Sequence, residues 1–464
     1  MASDFRIDKL TLKNFRCFSD FSIEFEPDVT VLVARNGGGK TAILDAIAIA
    51  LGEFTGRFDN GDSIGVDQSD ARAVPVLDDA IPRMEDRYPV SVVGEYSNAI
   101  SEALSYIKPG VFAYQFGRER LSKKSRSRTI RGYEHTESLS LPISSQAEAY
   151  QTRIRDGQAV ELPLVCYYGT GRLWRKTRKV DTAAKSLSSR TWGYHECLQS
   201  DSNYLEFEEW LQKMEHIRFQ EPDSDAGHAA EERMLAVRRA VNECLKITGW
   251  QEIRYRAATD SITINHPRHG ALDVSALSDG VRNVIGMVAD IARRMIQLNP
   301  NLGTSVTVET SGVVLIDEVD LHLHPEWQQT VLDSLQRAFP KIQFIVTTHS
   351  PQVLSTVKAR NIRILEERDG KIEAGQPLEN PYGRESRVAL ESIMEVPGRP
   401  PVEAAKLLEK YHQAIGQGDI DSAGTLKMRA DLEAEFGNES EELQLADLVI
   451  RRWQATRRTN GVRP

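Results

Sequence analysis

The segment Val29–Gly52, VTVLVARNGGGKTAILDAIAIALG, constrains the fold of this 464-residue chain more than any other stretch. Its opening residues, Val29–Val33, are apolar and β-branched, which predicts a buried strand, and a glycine-rich loop follows. Apolar residues then recur at helical spacing, at Ile43, Leu44, Ile47 and Leu51, and Gly52 is the predicted end of the helix. A strand, a glycine loop and a helix in this order form the context that a phosphate-binding loop requires.

The loop itself supplies groups that suit phosphate and magnesium. Its three glycines lack the Cβ atom that would keep backbone N–H groups away from phosphate oxygens. Lys40 would lie against the β- and γ-phosphates at the helix N-terminus, and the Thr41 hydroxyl would bind Mg²⁺. The predicted nucleotide contacts of the loop are Asn36, Gly37, Gly38, Gly39, Lys40, Thr41 and Ala42.

Ala34 departs from the phosphate-loop pattern, which has glycine at this position. Alanine is the smallest replacement, and it costs at most about 1 to 2 kcal/mol if the backbone must adopt a positive φ. Since every other donor of the loop is present, we expect nucleotide binding to persist. Taken alone, the loop has a second interpretation as a chance glycine turn.

Three further motifs support the nucleotide interpretation. In GVVLIDEVDLHLHP, Asp317 follows an apolar strand, where it can hold Mg²⁺, and Glu318 can polarise the attacking water. In ALSDGVRN, Ser278 and Gly280 precede a helical pattern. In FIVTTHSP, His349 follows a third apolar strand, within reach of a γ-phosphate. Four such elements in this order argue against coincidence.

This order of motifs resembles the soluble branch of the ATP-binding-cassette ATPases that includes RecF, SMC and OLD-type heads, over about residues 5–355. LTLKNFRCF resembles the opening strand of that branch, ARNGGGKT its Walker A, LSDGVRN its signature, LIDEVDLHLHP its Walker B with D-loop, and TTHSP its switch histidine. The resemblance implies an α/β fold, an ABC-type P-loop ATPase head with a helical insertion and a small C-terminal α-helical module.

The resemblance also implies a head-to-tail dimer with ATP and Mg²⁺ between the subunits. One subunit would contribute Lys40, Thr41, Asp317, Glu318 and His349, and the other Ser278 and Gly280. Lys40, Glu318 and His349 would be catalytic, and Thr41 and Asp317 would bind the metal. By the same analogy, Arg16 in the opening motif is expected to contact the nucleotide. No residue of the sequence is assigned as the Q-loop glutamine.

A narrower resemblance comes from LVCYYGTGRLW, LHPEWQ and the tail ALESIMEVPGRPPVEAAKLLEKYHQAIGQGDIDSA. These stretches are similar to the antiphage ATPases of Septu and retron systems, usually called PtuA, which work with a separate HNH nuclease, PtuB. The resemblance implies a nuclease partner, a homodimer or higher homo-oligomer and, in a retron context, a reverse transcriptase with its non-coding RNA. We predict a head at 1–383, with an unresolved insertion at about 95–250, and a docking or oligomerisation module at 384–464.

Charge is distributed unevenly along the chain. The net charge is -9, which argues against a protein that coats nucleic acid with its whole surface. The stretch 118–131 nevertheless carries seven basic residues and one acid, and the stretch 172–179 carries five basic residues and no acid. Two interpretations stay open: solvated loops, or a nucleic-acid surface on which Trp174 could stack, although Trp174 is equally compatible with a core position.

Two histidine-containing stretches have alternative interpretations. His322 and His324, with Asp320, could form a metal site, but packing or dimer contact is favoured because no partner ligands stand at metal spacing. The stretch 266–269 is favoured as a polar turn rather than a nuclease motif. The sequence carries no HNH pattern and no Toprim-type acidic cluster after His349, so cutting would have to come from a partner.

The remaining sequence features concern compartment and rival functions. The four cysteines form no CxxC pair, and neither a signal peptide nor a membrane span is predicted, so we expect a cytoplasmic protein. One rival function is a RecF-like DNA repair or DNA-binding ATPase without a dedicated nuclease. The other is the engine of a transporter, which the stretch LHLHP and the tail argue against.

Overall fold

The computed structural model describes residues 5–78, 81–98, 112–130, 141–171, 189–200 and 204–459. The chain divides into two compact units, Met1–Met394 and Glu395–Pro464. The helix Ser386–Ser392 therefore lies in the first unit, whereas the predicted module began at residue 384.

The strands are named in chain order. They are β1 (Lys9–Phe15), β2 (Phe18–Glu24), β3 (Val29–Val33), β4 (Arg72–Asp78), β5 (Ile81–Arg87), β6 (Val90–Asn98), β7 (Phe112–Arg120), β8 (Arg128–Thr129), β9 (Leu141–Pro142), β10 (Leu164–Tyr168), β11 (Gln251–Arg256), β12 (Ser261–His266), β13 (Gly270–Asp273), β14 (Gly312–Ile316), β15 (Ile342–Thr347), β16 (Ile362–Arg368) and β17 (Lys371–Gly375).

The α-helices are named in the same way. They are α1 (Lys40–Thr55), α2 (Ile143–Arg155), α3 (Tyr204–Gln220), α4 (Asp225–Leu245), α5 (Asp279–Leu298), α6 (Val306–Glu309), α7 (Pro325–Gln328), α8 (Val331–Ala338), α9 (Pro351–Leu354), α10 (Ser386–Ser392), α11 (Glu403–Gly416), α12 (Ala423–Phe436) and α13 (Glu441–Thr459). Short 3₁₀ turns cover Gln68–Asp70, Arg190–Tyr194, Lys246–Thr248, Val274–Ala276, Pro300–Ser305 and Ala359–Asn361.

A six-stranded sheet positions the predicted motifs. Its order is β10-β14-β15-β3-β16-β17, and all neighbours are parallel except β16 and β17. Every residue of β3, β10, β14 and β15 is buried, as expected for a parallel sheet that is covered on both faces. Because parallel strands end at the same edge, the segments after β3, β14 and β15 lie side by side there. These segments carry the predicted phosphate loop, Asp317 and His349.

A second, largely antiparallel sheet has the order β2-β1-β6-β7-β8, with β9 beside β7. Strands β1 and β2 near the N-terminus pair with each other, with Leu10 opposite Ile23 and Leu12 opposite Phe21. Helix α1 contacts strands of both sheets, which explains why it is buried on nearly all sides. The α/β fold that the sequence predicts is thereby confirmed.

The predicted end of α1 at Gly52 is wrong, because the helix continues to Thr55. A Cβ atom at Gly52 would lie 2.8 Å from the backbone nitrogen of Ile64, closer than real contacts allow. Glycine at this position therefore permits a close approach between two segments and does not end the helix.

The region 95–250, which the sequence left unresolved, contains more than helices. Strands β7 and β10 extend the two sheets, while α2, α3 and α4 supply the helical part. Strands β11 and β12 form an antiparallel hairpin whose connection contains Thr259 and Asp260. The predicted polar turn at 266–269 follows β12, and the Nδ1 atom of His266 accepts bonds from the backbone nitrogens of Arg268 and His269.

The second unit contains α11, α12 and α13, in keeping with the small C-terminal α-helical module that the resemblance implies. Its core is formed by Leu408, Tyr411, Ile415, Ile420, Leu432, Leu443 and Ala446. Arg429 of α12 bonds to Glu433 and, across to α13, to Asp447. Within the described part of the chain, no helix is long and apolar enough to cross a membrane.

Candidate nucleotide-binding site

The loop between β3 and α1 has the backbone geometry of an anion cradle. Gly37 and Gly39 have φ values of 78° and 90°, in the left-handed region that glycine tolerates best. No atom lies within 4 Å of the position that a Cβ would take at Gly37, so this side of the loop is open. A ligand phosphate can therefore approach the backbone N–H groups there.

Ala34 fits the loop without strain, because its φ is not positive. A Cβ at Gly38 would lie 2.7 Å from the Ala34 methyl group, so these two positions cannot both carry side chains. The Ala34 carbonyl also accepts a bond of 3.0 Å from the Lys40 Nζ atom. Alanine at this position is thus accommodated by the absence of a side chain at Gly38.

Lys40 begins α1 and is buried, with an exposed fraction of 7%. Its Nζ atom donates to the carbonyls of Ala34 and Arg35. Burial lowers the pKa of Lys40, and the nearby carboxylates of Asp317, Glu318 and Asp320 partly offset this effect. The ammonium group donates only to neutral carbonyls in these two bonds, so it can donate to phosphate oxygens instead when a nucleotide binds.

Asp317 receives bonds from two threonines on different elements. The Thr41 hydroxyl of α1 donates to its Oδ2 atom at 2.8 Å, and the Thr347 hydroxyl of β15 donates to its Oδ1 atom at 2.6 Å. Hydroxyl and carboxylate oxygens are the ligands that Mg²⁺ prefers. ATP and Mg²⁺ are the cofactors that this donor set fits, and Thr41 and Asp317 are the residues that would hold the metal.

Glu318 lies at the same edge of the sheet in an unusual backbone conformation. Its φ is 50°, which costs a non-glycine residue of order 1 kcal/mol or more. Its backbone nitrogen donates to the Thr347 hydroxyl at 2.7 Å, so one threonine orders both acidic residues. His349 follows β15, is partly buried and donates its backbone N–H to Asp320 at 3.4 Å.

Ser278 and Gly280 occupy the N-terminus of α5. Ser278 is the N-cap residue, is exposed and makes no side-chain capping bond, so its hydroxyl faces solvent. A Cβ at Gly280 would lie 2.3 Å from the carbonyl oxygen of His322. The start of α5 therefore packs directly on the segment that follows β14.

Arg16 is fixed by two acidic residues. Its Nη1 atom donates to Asp45 at 2.5 Å and its Nε atom donates to Asp70 at 2.9 Å. Burial disfavours its charge, but the two carboxylates outweigh burial and raise its pKa. The neighbouring Cys17 sulfur lies 3.0 Å from the position of a Cβ at Gly39, so this turn adjoins the phosphate loop.

Tyr167 was not predicted as a site residue, because its position beside Asp45 depends on where β10 lies in the sheet. This strand is the parallel neighbour of β14, and the Tyr167 hydroxyl donates to Asp45 at 2.8 Å. Burial and the Asp45 charge raise the pKa of Tyr167, so the hydroxyl stays a donor. Asp45 lies one helical turn after Thr41 and joins Tyr167 to Arg16. The residues of β10 do not reveal from sequence which strand lies beside it in the sheet.

A buried ion network connects α5 to the strand beside β14. Asp290 accepts bonds from the Tyr168 hydroxyl at 2.9 Å and from the guanidinium groups of Arg293 and Arg294. The Tyr168 carbonyl in turn accepts a bond from the Asp317 backbone nitrogen at 2.8 Å. Burial alone would raise the pKa of Asp290, but the two arginines lower it to about 2.

The alternative metal site at His322 and His324 finds no support. Among the described residues, the group of His, Cys, Asp and Glu side chains close enough to share a metal is His195, Glu196 and Glu206. His324 instead caps α7 through its Nδ1 atom.

The first basic stretch forms β7, β8 and their connection, up to residue 130. Several of its cations are already bonded within the chain: Arg118 to Ser63 and Thr129, Arg120 to the carbonyls of Val66 and Lys123, Lys123 to Asp86, and Arg128 to Glu119. Lys124 and Arg126 are exposed. The second basic stretch, with Trp174, lies outside the described residues, so the nucleic-acid interpretation stays a prediction.

Comparison with known families matches two overlapping parts of the chain. Residues 9–232 match a family model described as an AAA domain. Residues 189–355 match a second model, described as an AAA domain, putative AbiEii toxin, Type IV TA system. The first match contains the phosphate loop, and the second contains Ser278, Asp317 and His349. Over these residues the chain is similar to AAA domains.

Two curated relatives are named as a retron ATPase and a Septu protein. This chain is 27% identical to the Retron Vc95 probable ATPase of Vibrio cholerae serotype O1 biovar El Tor, over 91% of this chain and 86% of that protein. It is 38% identical to the Septu protein PtuA of Bacillus mycoides, over 24% of this chain and 15% of that protein. Among solved structures, the SMC head domain from Thermotoga maritima is similar over 80% of this chain and 99% of its own, at 15% identity and with a TM-score of 0.40.

Proposed function

We propose that the ATPase binds Mg-ATP between two copies arranged head to tail and controls an associated HNH nuclease in antiphage defence. The observation that carries the ATP site is the bond between Thr41 and Asp317, which brings the phosphate loop to the end of β14. The names of the retron and Septu relatives support the role in defence.

Each residue of the site has a chemical role in this proposal. The loop N–H groups and Lys40 bind the phosphates, and Thr41 and Asp317 hold Mg²⁺, which neutralises charge on the phosphates when it is bound. Glu318 polarises the attacking water, and His349 contacts the γ-phosphate. Arg16 is held by Asp45 and Asp70 beside the loop, where its guanidinium can bind a phosphate oxygen.

Ser278 and Gly280 would complete the site of the other copy. The exposed Ser278 hydroxyl, which makes no capping bond in its own chain, supports a contact with a neighbour. A pair of inactive variants can test this arrangement. Lys40→Ala removes the phosphate contact of its own site, and Ser278→Arg blocks the site of its neighbour.

Mixing the two variants should restore ATP hydrolysis if the sites are shared. Half of the mixed dimers contain both variants and one intact site, so about a quarter of the wild-type rate is expected. Ser275→Arg, at an exposed serine just before the helix, is the matched control and should remain active alone. Mixed variants that stay as inactive as each variant alone would exclude the shared site.

The second unit is the proposed docking surface for the nuclease. Leu445 and Leu448 on α13 are 53% and 57% exposed, which leaves an apolar stripe at i, i+3 spacing for a partner. The test purifies the ATPase with the product of its neighbouring gene and determines the mass of the complex with and without ATP.

Two variants locate the docking surface. Truncation after Met394, and the double variant Leu445→Glu with Leu448→Glu, should both release the nuclease while ATP binding persists. Leu426→Glu, at an equally exposed leucine of α12, is the matched control. A complex that survives truncation after Met394 would place the docking surface in the first unit.

A further inference from the structure

A cavity of about 140 Å³ lies at the C-terminal end of α5, away from the nucleotide site. It lies between α3, α4, the end of α5 and the 3₁₀ turn that begins at Arg190. At 1.5 Å per residue, the lining residue Gln297 is about 28 Å along α5 from Ser278. Two arginines, Arg190 and Arg233, line this cavity, and neither belongs to the proposed ATP site.

Arg190 bonds only to neutral acceptors in the described part of the chain. Its Nε atom donates to the Leu298 carbonyl at 2.8 Å, and its Nη2 atom donates to the Val160 carbonyl at 2.6 Å and to the Asn299 side chain at 3.4 Å. Leu298 ends α5, where carbonyl dipoles attract a cation. This contact explains the position of the guanidinium, but it leaves the full positive charge without a carboxylate. Burial accordingly lowers the pKa of Arg190.

Arg233 is the more unusual of the two residues. It projects from α4, is partly buried and has no hydrogen-bond or ion-pair partner among the described residues. Burial lowers its pKa, and the neighbouring charge of Glu232 opposes this effect. Among the described residues no acceptor occupies the N–H groups of this guanidinium, so a bound anion could accept from them.

The rest of the lining suits a small anion. Trp210 and Ile296 provide apolar walls that are 7% and 4% exposed, and such walls strengthen the attraction between opposite charges. Ser189 adds a hydroxyl beside the arginines. The volume is below the range of about 300 to 1,000 Å³ that is typical of sites for drug-sized ligands. A single phosphate group fits this size and charge better than a whole nucleotide.

We propose that this cavity is a second anion site, in which Arg190 and Arg233 together bind one phosphate group. The phosphate is either free inorganic phosphate or the terminal phosphate of an oligonucleotide. Both sources present the same tetrahedral oxygens, which guanidinium groups bind through paired, charge-assisted hydrogen bonds. The site is independent of ATP hydrolysis, so its test does not depend on the proposed function.

Isothermal titration calorimetry of the full-length Lys40→Ala chain with inorganic phosphate tests the site, because this background weakens binding at the phosphate loop. We expect phosphate binding in Lys40→Ala. Adding Arg233→Gln should weaken it about tenfold or more, since a charge-assisted bond is lost. Arg239→Gln, at an exposed arginine of the same helix, is the matched control and should not change the affinity.

A second titration compares a 5′-phosphorylated dinucleotide with its unphosphorylated form, again in the Lys40→Ala background. Tighter binding of the phosphorylated form than of free phosphate, with the same dependence on Arg233, would identify an oligonucleotide end as the source. The reverse order would identify inorganic phosphate.

Arg233→Lys keeps the charge and should retain part of the affinity, so the proposal remains testable if Arg233→Gln does not fold. Equal affinities of Arg233→Gln and Arg239→Gln would overturn the proposal. Absence of phosphate binding by Lys40→Ala at millimolar concentrations would do the same.

Discussion

The Thr41 hydroxyl donates a 2.8 Å hydrogen bond to Asp317, although 276 positions separate the two residues in the chain. This bond joins the first turn of α1 to the end of β14 across the intervening strand β15. It holds together two oxygen donors of the kind that Mg²⁺ prefers.

Asp317→Asn should remove magnesium-dependent ATP hydrolysis while nucleotide binding without metal persists. The amide cannot supply the charge that Mg²⁺ requires, but it keeps an oxygen that can accept the Thr41 bond. Hydrolysis measured against Mg²⁺ concentration, and ATP binding measured in EDTA, check both parts. Asp333→Asn, at an exposed aspartate of α8, is the control. An unchanged magnesium dependence would exclude Asp317 as a metal ligand.

Lys40→Ala should weaken ATP binding about a hundredfold or more, because the buried ammonium group is lost from the phosphate site. Equilibrium binding of a fluorescent ATP analogue measures the change. Lys13→Ala, at an exposed lysine of β1, should bind normally. Wild-type affinity in Lys40→Ala would refute the assignment of the loop.

Glu318→Gln should bind ATP normally and lose most of its turnover, because the amide cannot polarise water as the carboxylate does. The ATP-bound dimer should then accumulate and appear on size-exclusion chromatography with ATP. Glu326→Gln, at an exposed glutamate of α7, should turn over at the wild-type rate. Unchanged turnover in Glu318→Gln would remove this residue from the mechanism.

Asp290→Asn should lower the free energy of unfolding by about 3 to 5 kcal/mol at neutral pH, because it leaves two buried arginines without their shared carboxylate. The folded pKa of Asp290 is about 2, below the unfolded value of about 3.9. The contribution of the carboxylate is therefore complete above the unfolded pKa and is lost as pH falls through the folded pKa.

Denaturant unfolding of both proteins between pH 7 and pH 2 measures this dependence. The difference between wild type and Asp290→Asn should stay constant down to about pH 4 and shrink below it. Asp279→Asn, at an exposed position of the same helix, should show little difference. A difference that grows as the solution becomes more acidic would contradict the assigned pKa.

The strand, loop and helix around Lys40 were predictable because their signals are local: apolar runs, glycines and helical spacing. The same holds for Asp317 and His349, since a polar residue after an apolar strand lies at the edge of a parallel sheet. The structural division of the chain at Met394 depends on tertiary contacts and could not be obtained in this way.

The bonds of Thr347 to Asp317 and of Tyr167 to Asp45 could not be predicted, because they depend on which strands are neighbours in the sheet. The end of α1 was wrongly predicted at Gly52 for a related reason. The glycine allows a close approach of the segment at Ile64, which the helical pattern does not reveal. Arg233 gave no signal at all, since a lone arginine on an amphipathic helix is usually solvated.

The close packing at Gly280 would couple the two nucleotide sites of the proposed dimer. Because no side chain separates Gly280 from the carbonyl of His322, the first turn of α5 packs directly on the segment after β14, and a shift of one would press on the other. A rearrangement around Glu318 when one nucleotide is cleaved would therefore displace Ser278, which is proposed to touch the other nucleotide. In the proposed dimer, ATP hydrolysis at one site would thus alter nucleotide binding at the other site. This packing favours hydrolysis at the two sites in alternation rather than at the same time.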